Sequence, residues 1–241
     1  LVLRYYITYN INVIPHQIIY MTNLTIVIPA KYESESLPIV LSQFTDKNYE
    51  ILVVLEKSDF KTIEAIKNKN CKIIYQTKKG FGNALIEGIN NSKTDFFCIF
   101  NADGSMEINE IDLMLKKIEN SNCDIIFASR YEKNSKSDDD TIVTWVGNKI
   151  FTLLGRIFFS LNISDILYTF VLGKTSKVKD LDLKQDDFRF CVELPIKAKK
   201  KNYNLCTSVA HEKRRIAGRK KVNAFKDGFL ILSQMIYLLF N

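Results

Sequence analysis

The sequence lacks the local signatures of several common chemistries. It has no Gly-x-x-x-x-Gly-Lys-Ser/Thr loop, no His-Glu-x-x-His pair and no Gly-x-Ser-x-Gly elbow. These absences remove P-loop, zinc-protease and serine-hydrolase chemistry. Its five cysteines, Cys71, Cys98, Cys123, Cys191 and Cys206, are odd in number and widely spaced, with no Cys-x-x-Cys pair. The spacing predicts reduced, cytosolic thiols and neither a zinc site nor a disulfide framework. No internal repeat or low-complexity segment is present. The apolar stretch Phe229 to Phe240 has twelve residues, whereas a helix needs about 20 to cross a bilayer.

What is present is ample hydrophobicity and an uneven charge. At 241 residues and 46% hydrophobic, the chain fits one large domain with appendages. Between Ile196 and Lys226 stand eleven Lys or Arg against Glu212 alone, while the whole chain carries +7, so the remainder is slightly acidic. Such a patch suits the phosphates of a nucleotide, a lipid head group or nucleic acid, or is simply a solvated basic face. It lacks interleaved stacking aromatics, so nucleic acid is not expected.

Residues 1 to 20 are apolar but broken by Asn10, Asn12, Pro15 and His16, a poor signal peptide and too interrupted to span a bilayer. Met21 stands just before the first convincing strand. Residues 1–21 therefore read as an extension, either not native or a membrane-touching arm, ahead of a domain over 22–228 and a terminal helix over 229–241.

From Leu24 the pattern alternates. Strands are predicted at Leu24 to Ile28, Glu50 to Leu55, Lys72 to Tyr75, from Asp95, and at Asp124 to Ala128. Helices are predicted at Leu37 to Phe44, Phe60 to Asn68, Gly82 to Asn90 and Ile108 to Ile118. Strands alternating with helices imply an α/β fold with a doubly wound, mostly parallel sheet. Glu132 to Asp140 reads as a loop and Ile142 to Leu161 as a mostly apolar stretch. A short strand near Phe170 to Leu172, a helix over Phe190 to Lys201 and a strand over Tyr203 to Val209 follow.

Asp95 to Ser105 is an apolar run that stops at Asp103 and Gly104. A buried strand here delivers Asp103 to its C-terminal edge, where a carboxylate can hold a divalent cation against a diphosphate, or the pair is only an Asp-Gly turn. Gly80-Phe81-Gly82-Asn83 is a weak dinucleotide fingerprint, since Leu85 occupies the third glycine position. The two glycines are expected to let backbone and the Asn83 amide approach an anion at a helix start.

Taken in order, Thr25-Ile-Val-Ile-Pro-Ala-Lys-Tyr-Glu33, Lys79-Gly-Phe-Gly-Asn-Ala84, Phe100-Asn-Ala-Asp-Gly104, Ala128-Ser-Arg-Tyr131, Asp165 and Arg215-Ile-Ala-Gly-Arg-Lys-Lys221 resemble family 2 glycosyltransferases. The nearest pattern is that of polyprenyl-phosphate sugar transferases of the dolichol-phosphate mannose synthase type. The resemblance covers roughly Leu24 to Gly228. It implies a GT-A fold with a C-terminal helical appendage, and inverting transfer from a nucleotide-diphosphate sugar to a polyprenyl phosphate. A sugar hydroxyl in cell-surface glycan synthesis is the alternative acceptor.

By the same resemblance, Pro29, Ala30, Glu33, Glu56, Gly80, Asn83, Asn101 and Asp103 bind the donor. Asp103 and Asn101 hold Mg²⁺ or Mn²⁺, and Arg130, Arg215 and Lys221 meet phosphates. Asp103, Arg130, Arg215 and Asp165 form the catalytic set. Three departures stand out: Leu55-Glu56-Lys57-Ser58 replaces Asp-Asp-Gly-Ser, Asn101 replaces the first acid of Asp-x-Asp, and Lys220 replaces a loop serine. They motivate a rival, a sugar-nucleotide-binding protein without turnover. Asp165 or Glu193 could serve as a base for a hydroxyl acceptor, or Asp165 anchors its turn and Glu193 faces solvent. The terminal helix either anchors the protein at the cytoplasmic face of a membrane or packs on its own domain or a second subunit.

Overall fold

The computed structural model describes residues 23–218 and 220–241; the expected extension over 1–21 lies outside the described residues. In chain order the elements are β1 Leu24–Ala30, α1 Leu37–Ser42, β2 Glu50–Leu55, α2 Phe60–Ile66, β3 Lys72–Tyr75, α3 Phe81–Asn91, β4 Phe96–Ile99 and α4 Ile108–Glu119. Then come β5 Ile125–Ser129, β6 Lys136–Ser137, α5 Ile142–Phe159, β7 Val171–Lys174, α6 Thr175–Lys179, α7 Phe190–Lys200, β8 Leu205–Val209, β9 His211–Glu212 and α8 Ala224–Phe240.

Seven strands form one sheet in the order β3-β2-β1-β4-β7-β5-β8, with a separate β6-β9 pair. All pairings are parallel except those of β7, which runs antiparallel to both neighbours, β4 and β5. The inner strands β1, β2, β4, β7 and β5 are buried on both faces, which explains their continuous apolar runs, whereas the edge strands β3 and β8 are part-exposed. Alternation assigns Ile26, Ile28, Val53 and Leu55 to a core shared with α1, α2 and α4. Val27 and Val54 face the opposite core, shared with α3, α6, α7 and α8.

Three differences from the sequence expectations matter, and the terminal helix takes one of the arrangements expected of it. Cys123 and Cys206 form a disulfide, with Cα atoms 6.0 Å apart, leaving Cys71, Cys98 and Cys191 free. Cys123 lies just before β5 and Cys206 on its parallel neighbour β8, a proximity that a separation of 83 residues conceals. The tract Glu132 to Asp140 is not wholly loop, because β6 pairs with β9. Glycine at 228 does not bound the terminal helix, which begins at Ala224, where the Asn223 side chain accepts the Lys226 N–H at 3.0 Å. Finally, α8 packs on the domain through Ile231, Gln234, Met235 and Leu238.

Candidate active site

The C-terminal ends of the parallel strands meet at one edge, where open α/β sheets bind ligands. A cleft of about 700 Å³ lies there. Pro29 and Ala30 end β1, Glu56 follows β2, Asn101 and Asp103 follow β4, and Arg130 follows β5. Arg215, Lys220 and Lys221 face them from the segment between β9 and α8, and α5 and α8 contribute Asn148 and Lys226 to the wall. Glu33 and Gly80 also line this cleft; Asn83 and Asp165 do not.

Asp103 is fixed by its own turn. Its Oδ1 accepts from the Ser105 N–H at 3.0 Å and the Ser105 hydroxyl at 2.7 Å. Gly104 adopts φ +78°, and a Cβ there would stand 2.4 Å from Ile216 Cδ1. The basic segment thus rests directly on the turn, with the Ile216 N–H donating to the Asp103 carbonyl and the Lys213 N–H to the Ser105 carbonyl, both at 2.8 Å. That contact brings Arg215 Nη1 to 3.6 Å from Asp103 Oδ2.

Four cations of the cleft are paired with its acids. Arg215 Nη2 and Lys220 Nζ each lie 3.2 Å from Asp139 Oδ2, Lys31 Nζ lies 2.8 Å from Glu56, and Lys221 pairs with Glu33. Glu33 is buried and also accepts from the Ser36 hydroxyl. Two buried donors of the lining, Arg215 Nε and the Tyr168 hydroxyl, have no hydrogen-bond partner among the described residues. A buried unpaired donor beside three further cations suits an incoming anion, whose oxygens can replace the weaker carboxylate contacts.

Among the described residues, no group of three or more His, Cys, Asp or Glu forms a closed metal cage. A divalent cation that travels with a diphosphate needs only one or two protein ligands, with phosphate and water oxygens completing its shell. The Asp103 carboxylate and the Asn101 amide oxygen fit that smaller role.

Arg130 is held differently from the expected free phosphate ligand. It is buried, with Nε 2.8 Å and Nη2 3.0 Å from the two Asp165 oxygens and Nη1 3.1 Å from Glu212 Oε2. Its guanidinium also lies over the Tyr168 ring at 4.6 Å. Burial disfavours its charge, but Asp165 and Glu212 outweigh this and hold its pKa well above the ordinary arginine value. Three of five side-chain N–H donors are therefore spent on carboxylates.

Asp165 is enclosed behind the cleft rather than open to it. Its carboxylate is buried, accepts from the Arg130 N–H and side chain, and is closed on another side by the Asn148 amide of α5. Asp165 thus holds Arg130 from behind. Glu193 is not solvent-facing either: it is buried in α7, where it accepts the N–H groups of Lys184 and Gln185 and pairs with Lys197.

The glycine pair serves a contact unlike the expected one. A Cβ on Gly80 would meet the Asp186 carbonyl oxygen at 2.1 Å, and one on Gly82 the Gln185 carbonyl oxygen at 2.1 Å. The Asn83 N–H donates to the Asp186 carbonyl at 3.0 Å. This helix start is therefore capped by the 185–187 main chain, and the glycines admit that chain rather than a ligand. Asn148 and Glu212 are the residues that sequence reasoning missed; Glu212, the sole acid within the basic stretch, was the available signal.

Beneath the cleft, burial raises the Glu110 pKa from 4.5 to about 7, with the His211 N–H to Oε1 at 2.6 Å pulling the other way. The folded chain holds this proton more tightly than the unfolded one. The contribution of Glu110 to folding stability therefore falls as pH rises from 4.5 towards about 7 and levels off above. Glu110→Gln keeps an oxygen for His211 and should flatten this slope. In thermal melts it should gain on the wild type at about pH 8 relative to about pH 5.

Comparison with known proteins bears on the family and the fold. The profile of the family described as Glycosyl transferase family 2 matches residues 25–182, more than half of the chain. A Pyrococcus furiosus protein named dolichol-phosphate mannosyltransferase is 28% identical over 187 residues, 73% of this chain and 53% of that one. A Mycobacterium tuberculosis protein named only as an uncharacterized glycosyltransferase is 27% identical over 96 residues, 40% of this chain and 44% of that one. The chain spans about half the length of the curated relatives it matches.

Among solved structures, glucosyl-3-phosphoglycerate synthase from Mycobacterium tuberculosis with Mn²⁺, uridine diphosphate and glucosyl-3-phosphoglycerate superposes with a TM-score of 0.71. It covers 90% of this chain and 79% of that one at 11% identity. The same enzyme with Mg²⁺ and uridine diphosphate gives 0.67 at 10% identity, with the same coverage. At such identities the likeness speaks for the fold, a GT-A sheet with its flanking helices.

Proposed function

The chain belongs to glycosyltransferase family 2, and from that premise we propose that it moves a sugar, with inversion, from a nucleotide-diphosphate sugar to a polyprenyl phosphate or other membrane-associated acceptor. The observation that carries this is the single cleft in which Asp103 and Asn101 face Arg215, Lys220 and Lys221. An acid for a cation and cations for phosphates are the two requirements of diphosphate departure. Mg²⁺ or Mn²⁺ held by Asp103 and Asn101 would neutralise charge building on the leaving diphosphate. The protein's own part is to bring Arg215 Nε and Lys221 to the phosphate oxygens and to orient Arg130 through Asp165 and Glu212.

A phosphate acceptor suits the site better than a sugar hydroxyl. Phosphate is already ionised near neutral pH and needs no general base. Asp165, a base that the sequence suggested, is consumed by Arg130 and Asn148. The wall supplied by α5 and α8 carries apolar residues on its outer side, so a lipid-borne acceptor and peripheral attachment at the cytoplasmic face of a membrane follow as one proposal.

The test is transfer from radiolabelled nucleotide sugars to short polyprenyl phosphates with Mg²⁺ or Mn²⁺, read as lipid-extractable label. Label that stays water-soluble with every donor would overturn it. Within this assay Arg215→Lys should lose about 1.5–3 kcal/mol of transition-state stabilisation, because lysine keeps the charge but not the planar fork that leaves Nε free. Undiminished rates in that variant would reduce the basic segment to a non-specific charge.

A further inference from the structure

The sequence sets three acids in a row ahead of α5, Asp138, Asp139 and Asp140, and the fold gives each a different partner. Asp138 pairs with Lys136 at 2.6 Å and His211 at 2.9 Å, neither of which lines the cleft. Asp140 accepts from the hydroxyls of Tyr131 and Thr144. Asp139, between them, lines the cleft and reaches across it. Its Oδ2 lies 3.2 Å from both Arg215 Nη2 and Lys220 Nζ, and its carbonyl accepts from the same lysine.

Other acids of the cleft are held by more than its cations. Asp103 accepts from the Ser105 hydroxyl, Glu33 from that of Ser36 and Glu212 from that of Ser137. These neutral donors fix each carboxylate whether or not a cation stands beside it. Among the described residues Asp139 has no such donor, so the two cations alone hold its side chain. They are also two of the cations that face Asp103 across the cleft.

A carboxylate and a phosphate make the same kind of charge-assisted contact with a guanidinium or an ammonium. Asp139 uses only one corner of Arg215. The Nε–H and one Nη2–H point along a single edge of the guanidinium, which is matched to two oxygens of one anion. On Arg130 that edge is filled, with Nε 2.8 Å and Nη2 3.0 Å from the two Asp165 oxygens. On Arg215 it is half used: Nη2 donates to Asp139, while the buried Nε has no partner among the described residues. A phosphate can fill both positions, and the Asp139 carboxylate would then face it across shared cations. Like charges so placed repel, and one of them must leave.

We propose that Asp139 is a built-in stand-in for phosphate: it holds Arg215 and Lys220 when no phosphate is bound and yields them to phosphate oxygens of the ligand, thereby weakening the binding of that ligand. The proposal rests on the reading that these cations receive phosphates. The exchange needs only the side chain to turn. On either side the main chain stays fastened, because the Asp138 N–H donates to the Glu212 carbonyl at 2.8 Å and the Asp140 N–H to the Ser137 hydroxyl at 3.1 Å. The benefit falls on release. The nucleoside diphosphate left after transfer carries more negative charge than the donor did, so cations that stabilise its departure also retain it. A carboxylate that returns to Arg215 and Lys220 offsets this retention and resets the cleft.

The test is isothermal titration calorimetry of the full chain with uridine diphosphate and guanosine diphosphate, each with Mg²⁺, and with a short-chain polyprenyl phosphate. Asp139→Asn removes the charge with little change of size. It should bind at least one of these ligands about five- to tenfold more tightly than the wild type, and melt close to it, since the ion pairs it loses are partly exposed. Asp139→Glu keeps the charge and should stay near the wild type. Asp138→Asn makes the same change in net charge one residue away and should shift affinity by less than about twofold. A gain for a nucleoside diphosphate supports exchange at the donor, and a gain for the lipid phosphate alone supports exchange at the acceptor. Equal or weaker binding by Asp139→Asn, or an equal gain from Asp138→Asn, would overturn the proposal. Failure of every phosphate ligand to bind either protein would overturn it together with the reading beneath it. Tighter binding without transfer activity would leave the stand-in in place and remove the polyprenyl-phosphate reading, whereas transfer with unchanged affinity would do the reverse.

Discussion

Asp103→Ala is expected to abolish transfer while leaving the chain folded. The carboxylate stands at the sheet edge, outside the two apolar cores, and its contacts are those with Ser105 at 3.0 and 2.7 Å and a looser ion pair with Arg215 at 3.6 Å. Losing them should cost about 1 kcal/mol. The catalytic loss should be much larger, because a diphosphate-bound cation supplies several kcal/mol of transition-state stabilisation, roughly a thousandfold in rate. Asp103→Asn separates the two effects: its amide oxygen still accepts from Ser105 but brings no charge to a cation. Both variants should melt close to the wild type and fail in the transfer assay. Full activity in either, or activity insensitive to a strong chelator, would remove Asp103 from cation binding.

Arg130→Ala should do the reverse and damage the fold most. It leaves Asp165, fully buried, and Glu212, nearly so, without their shared cation. Breaking a buried ion pair from one side costs about 3–5 kcal/mol, since the desolvated charge left behind has no partner. For a chain of this size that corresponds to a fall in melting temperature of roughly 10 °C. Acidification should narrow the gap between variant and wild type, because protonating an unpaired buried carboxylate removes the uncompensated charge. Arg130→Lys should recover only part of the loss, as one ammonium cannot span both Asp165 oxygens and Glu212. A variant that melts like the wild type at neutral pH would show that this network carries no net stability.

These two residues illustrate what a sequence displays and what it hides. The strand leading to Asp103 was legible because it is buried on both faces and ends at an acid and a glycine, a purely local pattern. So were the other core strands, bounded by Pro29, by polar residues or by glycines. The environment of Arg130 was not legible. Its partners Asp165 and Glu212 lie 35 and 82 residues away, and Asn148 reaches Asp165 across 17; no periodicity joins them. Gly80 and Gly82 marked a helix start where close approach was expected from an anion, and only the folded chain shows that the 185–187 main chain lies against them. The apolar character of 142–161 was plain, whereas the face it exposes depends on Asn148 finding Asp165. The disulfide escaped for the same reason, as its cysteines meet only through the pairing of β5 with β8.

The antiparallel strand β7 has a consequence for how the chain reaches this state. β4 and β5 follow one another in sequence but do not touch; Val171–Lys174 bonds to both and closes the gap between them. The half-sheet β3-β2-β1-β4 needs only the chain up to Ile99, so it can assemble during synthesis while the rest is still being made. The second half must wait for residue 171 to arrive, a long loop closure that slows folding. Until then the edges of β4 and β5 stand open to other chains. Refolding from denaturant should therefore be most vulnerable to aggregation at this stage, and a change that weakens β7 should cut the yield of folded protein more than it lowers the stability of the molecules that succeed.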